Sequence, residues 1–265
     1  MTEPPAAADV LAVLRHGTLE LDGRLRSASN TTLVGEARLD GLTVRCVYKP
    51  QHGERPLWDF PTGSLSRREV AAYELDRLLG WGLVPETAWR TAGPAGPGSC
   101  QRWVVADDAA GPVDLVPTGS APAGWRVVLD AEGPRGEPVS LVHADTPALR
   151  RLALFDAAAN NTDRKGGHVL VDGSGHTFGI DHGICFHPDP KLRTVLWGFA
   201  GEAVDAADAD ALRRAATLLE ADGALAGLLS PREVRRTSGR ITALLRDGRY
   251  PAATDTWPHL PWPVF

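Results

Sequence analysis

The sequence predicts an α+β protein of two lobes, one strand-rich and amino-terminal, the other helical and carboxy-terminal. Three observations carry this. Strand signals crowd the first half, helix signals crowd the second, and between them lies the polar stretch "ADDAAGPVD" at 106–114. At 265 residues the chain is expected to hold one or two domains. A chain of this size buries about 75% of its unfolded surface and needs no staples to fold. The division falls between residues 1–106 and residues 107–265, as two lobes of one compact unit.

The elements follow in order. Ala6 to His16 forms a helix closed by Gly17. Thr18 to Arg26 and Leu33 to Leu39 are strands, separated by the polar loop "SASNTT" at 27–32. Asp40-Gly41 turns the second strand into a third, "LTVRCVYK", as a hairpin. Alternation puts Leu42, Val44, Cys46 and Tyr48 on one face of that strand and Thr43, Arg45, Val47 and Lys49 on the other. After a Pro- and Gly-punctuated loop, Ser66 and Glu69 have capping-box spacing, so a helix is predicted from there to about Gly80. "VPETAWR" and "SCQRWVV" are two more strands. Gly111 to Val142 is broken by Pro and Gly, and no element is read there.

Thr146 and Pro147 supply an N-cap and first-turn residue for the helix "ALRRLALFDAAAN". "HVLV", "DGSG" and "HTFGI" then make a β-hairpin with Val171 facing His176. Two helices complete the chain, Ala207 to Leu219 and Pro231 to Arg246, the second with Ser230 as cap and Glu233 closing a capping box. The tail "YPAATDTWPHLPWPVF" is too proline-rich for a helix and too aromatic for a free linker, so it is expected to lie against the body.

Composition excludes several classes of function. The net charge of -5, with no basic stripe, argues against nucleic acid or an anionic bilayer as the main partner. No window approaches the 18 or so apolar residues of a membrane span. Three cysteines without a CxxC pair, and no signal-peptide pattern, indicate a reduced, cytoplasmic protein.

The chemistry gathers in "NNTDRKGGHVLVDGSGHTFGIDHGICF" at 160–186. The hairpin brings His168, at the start of one strand, close to Asp181, at the end of the other. Asp163 lies five residues before His168 in a glycine-containing loop that curls back over the same place. Two donors and a nearby carboxylate suit Mg, or Mn where one donor is imidazole. His176, His182 and His187 match no zinc spacing and are expected to be structural. Asp172 and Gly173 are turn residues, and Asn160 and Asn161 terminate a helix. Taken alone, Lys49 is a solvated strand-end lysine.

The order of a Ser/Asn/Thr loop, "VYKP", "REVAAYE", "QRWV", "DRKGGH" and "IDHG" resembles the phosphatidylinositol 3- and 4-kinases and their bacterial HipA-type relatives. More closely still, it resembles an actinobacterial family distantly similar to those kinases. The resemblance spans about Leu19 to Ala200 and implies a two-lobed protein-kinase-like fold. It implies that Lys49 holds the α and β phosphates of ATP with Glu69 as ion-pair partner, Glu74 being the competing choice. It further implies that the backbone of Ser29, Asn30 and Thr31 cradles phosphate. Gln101, Arg102, Trp103 and Val104 would be the hinge against adenine.

By the same resemblance Asp163 orients the acceptor hydroxyl or accepts its proton, and His168 and Asp181 hold metal. Two positions depart from the family pattern. Lys165 replaces the loop histidine, adding a cation beside the transferring group, and His168 replaces an asparagine, a change that favours Mn.

The function this implies is metal-dependent transfer of the γ-phosphoryl group of ATP to a hydroxyl, on a protein or small molecule rather than a lipid. The alternatives are a non-catalytic ATP-binding regulator, AMP transfer with ATP reversed, and, last, a hydrolase built on Asp163, His168, Asp181 and His182. The segment "ICFHPDPKLRTVLWGFAGE" stands where kinases recognise substrate. Phe186, Lys191, Arg193, Trp197 and Phe199 either receive an acceptor or pack on the lower lobe.

Overall fold

A computed structural model describes residues 5–25, 29–107, 111–253 and 258–265. Arg26 at the end of the expected first strand, Ser27 of the loop after it, the middle of the expected lobe junction (108–110) and Trp257 lie outside the described residues.

Five strands form an antiparallel sheet in the order β1-β2-β3-β5-β4: β1 Thr18–Arg24, β2 Leu33–Leu39, β3 Leu42–Pro50, β4 Thr87–Arg90 and β5 Gly98–Arg102. Asp40 and Gly41 both have positive φ, 50° and 82°, the two-residue turn that the sheet's twist requires between β2 and β3. In β3, Val44, Cys46 and Tyr48 are buried while Thr43 and Arg45 are exposed, as the alternation requires. Helix α1, Ala7–His16, lays Val10, Val13 and Leu14 on Ala37, Val44, Cys46, Ala88 and Cys100 of this sheet, a small core of its own. Gly17 ends α1 with φ -61°, not a left-handed turn. It is glycine because the Arg38 backbone passes where a Cβ would stand.

Helix α2, Leu65–Leu79, begins differently from the capping box expected at Ser66 and Glu69. Its amides at Leu65 and Ser66 are accepted by the Glu54 carboxylate, at 3.0 and 2.8 Å, so the preceding loop caps the helix. That leaves Glu69 for another task. Ala71, Ala72, Leu75, Leu78 and Leu79 of α2 join the large core built by α3, Pro147–Ala159, and α4, Ala206–Asp222. Buried Arg68 of α2 donates to the Cys185 carbonyl at 2.7 Å and pairs with Glu233 of α5, Pro231–Asp247.

Where no element was read, there is an antiparallel sheet in the order β6-β8-β7: β6 Val113–Pro117, β7 Trp125–Glu132 and β8 Pro138–Ala144. Its turns at Gly119, Gly124 and Gly136 all need positive φ, and β7 is largely exposed, so its apolar alternation is faint in the sequence. Thr146 caps α3 by accepting from Leu149 N, and Ser230 and Glu233 close the capping box of α5, both as expected. The hairpin of β9, Val169–Val171, and β10, Thr177–Gly179, pairs Val171 with Thr177, one residue later than the expected His176. Asp172 accepts from the amides of Ser174 and His176, which widens the turn by that residue. No helix among the described residues is long and apolar enough to cross a membrane.

Candidate functional site

Lys49, near the end of β3, reaches across the cleft from the five-stranded sheet. Its ammonium pairs with Glu69 of α2 and, at 2.9 Å, with Oδ1 of Asp181 beyond β10. Glu69 is 3% exposed, and its second oxygen accepts from the His182 amide at 3.0 Å, so the helix carboxylate also fixes the residue after Asp181. Glu74 pairs with Arg77 instead, which leaves Glu69 as the partner of Lys49. Burial works against the Lys49 ammonium, but Asp181 and Glu69 outweigh it and push its pKa up. The same ammonium holds the Asp181 carboxyl well below the usual range, while burial raises that of Glu69.

The hairpin ladder continues from Ile180 N to the His168 carbonyl at 3.0 Å, which brings His168 Nε2 to 3.5 Å from Asp181 Oδ2. Asp181 has φ 60°, a left-handed conformation tolerable for Asp and here imposed at the end of the hairpin. Asp163 Oδ2 lies 3.6 Å from Lys165 Nζ, and burial pushes its carboxyl up against the pull of that lysine.

One buried residue organises this loop, and the sequence reading missed it. Arg164, fully buried, donates to both oxygens of Asp156 on α3 and to the carbonyls of His168 and Ile180, and meets His182 Nε2 at 2.8 Å. Asp156 also accepts from Asn161 at 2.9 Å and from Thr194 at 3.3 Å. An aspartate inside the apolar run "LALFDAAA" was the available signal, because a buried carboxylate demands a cation.

Two adjoining cavities open at this point, of about 280 and 440 Å³. They share Thr32, Lys49, His168 and Asp181. The smaller is walled by Val47, Trp103, Val104, Leu170 and Ile180, and the larger by Ser29, Asn30, Thr31, Asp163 and Lys165.

The expected hinge is more committed than anticipated. The amides of Arg102 and Trp103 already donate to the carbonyls of Glu86 and Arg45, and the Gln101 side chain donates to Thr87. Main-chain donation to a ligand is therefore left to the chain from Val104 onward. Likewise the Thr31 amide donates to the Gly53 carbonyl at 3.0 Å, so a phosphate nest there would draw on Ser29 and Asn30.

The segment after Gly183 is mostly packing. Phe186 and Phe199 are fully buried, and Lys191 is buried against Asp59 at 2.7 Å with its ammonium over the Trp58 ring, so these three do not face an acceptor. His182 is buried, His176 meets the Gly82 carbonyl at 2.7 Å, and His187 stacks edge-on with Phe60, structural roles in each case. The tail does lie on the body. The His259 carbonyl accepts from Thr194 N and Trp197 Nε1, and the Val264 carbonyl accepts from Gly166 N at 2.8 Å.

The donor set fits a divalent cation as a two-residue site. His168 Nδ1 lies 3.1 Å from the Asp163 carbonyl and 3.5 Å from the Lys165 amide; the nearer carbonyl calls for the proton on Nδ1, the tautomer that turns the Nε2 lone pair toward Asp181. Burial pushes the His168 pKa down to about 4, so the ring is neutral at neutral pH beside an ionised carboxylate. A lone pair and a carboxylate 3.5 Å apart gain from a cation between them. Among the described residues no group of three His, Cys, Asp or Glu side chains is placed to hold a metal. Phosphate oxygens and water would have to complete the shell.

A strand lysine, a helix glutamate and a post-hairpin aspartate meeting between a sheet-built lobe and a helical lobe define a kinase-like fold. Its overall shape is shared by the crystal structure of the Golgi casein kinase, with a TM-score of 0.53 and 13% identity over 91% of this chain and 74% of that one. The Helicobacter pylori proinflammatory kinase CtkA aligns with a TM-score of 0.47 and 11% identity, over 89% of this chain and 94% of that one. No family model matches. The chain belongs to the family of protein Rv2133c of Mycobacterium tuberculosis, to which it is 45% identical over 271 residues, covering 97% of this chain and 96% of the relative.

Proposed function

We propose that this protein is an ATP-dependent phosphotransferase that moves the γ-phosphoryl group to a hydroxyl acceptor, a relative of the phosphatidylinositol kinases and HipA-type kinases. The observation that carries the reading is the Lys49 ammonium held between buried Glu69 and Asp181 at the junction of two cavities. In this reading residues 1–106 and 107–265 are the two lobes. Adenine lies between Val47, Leu170 and Ile180 against the chain at Val104, and Lys49 moves from Asp181 onto the α and β phosphates. Ser29 and Asn30 offer amides to the phosphate chain.

Asp181 and His168 hold Mg or Mn, which supplies charge neutralisation on the phosphate oxygens when bound. Asp163 orients the acceptor and takes its proton, and its raised pKa makes it the better base. Lys165 stabilises charge on the transferring group. A protein or small molecule is favoured over a lipid as its acceptor, with no nucleic acid partner, and the unpaired thiols of Cys46, Cys100 and Cys185 fit the cytoplasm.

Calorimetry with a non-hydrolysable ATP analogue is the test. Binding is expected with Mg or Mn, and Lys49→Met is expected to abolish it. No binding in either metal ends the proposal. One observation favours a second reading, a non-catalytic ATP sensor: Lys165 lies 3.6 Å from Asp163 and competes for the carboxylate that a base must keep free. Turnover of γ-labelled ATP separates the two, and transfer of α-label to protein would mean AMP transfer instead.

A further inference from the structure

Gly166 lies inside the candidate catalytic loop, between Lys165 and His168. Its amide is accepted by the Val264 carbonyl at 2.8 Å, and the Phe265 ring covers its Cα so closely that a methyl group at position 166 would collide with the ring. The tail also grips the loop indirectly. Asn161 accepts from the Arg193 amide, and Arg164 exchanges backbone hydrogen bonds with Arg193 and Val195, so the chain at 193–195 runs alongside the loop. The outer side of that chain is closed by the tail, through Thr194 N to the His259 carbonyl. The loop is therefore sandwiched, with the Asp156–Arg164 pair beneath it and the tail over it.

Among the described residues, none of the tail lines the larger cavity, where Asp163, Lys165 and His168 meet. The tail thus supports the loop from outside and leaves the cleft to ligands. Phe265 is only about half exposed against Gly166, whereas Trp262, three residues earlier, is 88% exposed. Of these two aromatic side chains, the less exposed is the one resting on the loop.

We propose that residues 258–265 are a positioning strap for this loop, with Phe265 and the Val264 carbonyl clamping Gly166 so that Asp163, Lys165 and His168 keep their mutual geometry. The effect on catalysis rests on the function proposed above, but the clamp itself does not. With the ring seated, a side chain at position 166 would have to displace Phe265, so glycine there goes with a seated tail.

The test uses the full chain, Phe265→Ala, Gly166→Ala and the double variant. Hydrogen exchange is read on segment 161–168, with α3 as internal reference, alongside the affinity for a Mg-bound ATP analogue and the turnover of γ-labelled ATP. Phe265→Ala is expected to speed exchange in the loop about tenfold or more while α3 stays as in the parent. It is also expected to slow turnover by about tenfold or more with analogue affinity nearly unchanged, since displacing the loop affects chemistry more than nucleotide binding. Gly166→Ala is expected to be as damaging alone, and the double variant no worse than either single one, because removing the ring makes room for the methyl group.

Unchanged loop exchange in Phe265→Ala, or strictly additive losses in the double variant, would overturn the strap. If the parent neither binds nor turns over ATP, the proposed function fails, while the exchange comparison still decides whether the tail holds the loop.

Discussion

Replacing Lys49 by Met keeps most of the unbranched side chain and removes its charge. Glu69, 3% exposed, then faces Asp181 with no cation between them. Deleting one partner of a buried pair costs about 3–5 kcal/mol. Lys49 is 21% and Asp181 52% exposed, so solvent screens part of this, and about 2–3 kcal/mol is the working figure. For a chain of this size that lowers Tm by roughly 4–12 °C.

The loss must depend on pH. Burial already raises the Glu69 pKa, and without the ammonium it rises further, so the folded variant holds a proton that the unfolded chain has released. The variant's stability is then fully present below the ordinary Glu pKa and falls as pH climbs through the raised one. The gap to the parent is widest at pH 8 and narrows toward pH 5. Adding Glu69→Gln should recover most of it at pH 8, because the stranded charge is gone. Differential scanning fluorimetry of the parent and both variants at the two pH values is the assay. A Lys49→Met protein as stable as the parent at pH 8, or a gap that ignores pH, would refute the assignment of a stranded Glu69.

Three further outcomes are expected. Asp163→Asn should cut turnover of γ-labelled ATP by about 10²–10⁴ with analogue binding intact, and undiminished turnover would remove Asp163 from the chemistry. Arg164→Met strands Asp156 in a fully buried site and should cost about 3–5 kcal/mol in urea unfolding; a change below about 1 kcal/mol would show that the pair is not what organises the loop. The Asp76 carboxyl is buried and pushed up to about 7. Its proton is held in the folded state after the unfolded chain has lost it, so stability declines between roughly pH 4 and 7, by about 1.4 kcal/mol per unit of displacement. Asp76→Asn should remove the decline and be the more stable protein at pH 8, and a thermal scan at pH 5 and pH 8 that shows no such crossing would contradict it.

Much of the site was legible because its residues stand close together in the chain. His168 and Asp181 are joined by one hairpin, and even a register displaced by one residue put them side by side. Lys49 and Glu69 meet from separate elements, and order along the chain was enough to pair them. What stayed hidden depends on partners that pattern does not specify. Glu54 took over the cap that Ser66 and Glu69 were spaced to form, because a carboxylate from the loop reaches the same amides. The sheet of β6, β7 and β8 is turned by glycines and half exposed, so its periodicity does not stand out from loop composition. The buried Asp156–Arg164 pair joins α3 to the loop in three dimensions, and only the oddity of an aspartate in an apolar run announced it.

Helix α2 is rooted in the same hydrophobic mass as α3 and α4, with Arg68 pinned to α5, and it also packs on β4 and β5 of the sheet that bears Lys49, where Arg67 lies over the Trp89 ring. Glu69 is tied to the residue after Asp181 through the His182 amide. Lys49 is the ion-pair link between that sheet and the Glu69–Asp181 couple, beside the Arg102 guanidinium over the Phe178 ring. A phosphate that drew the Lys49 ammonium to itself, as proposed above, would have to take it from two carboxylates at once.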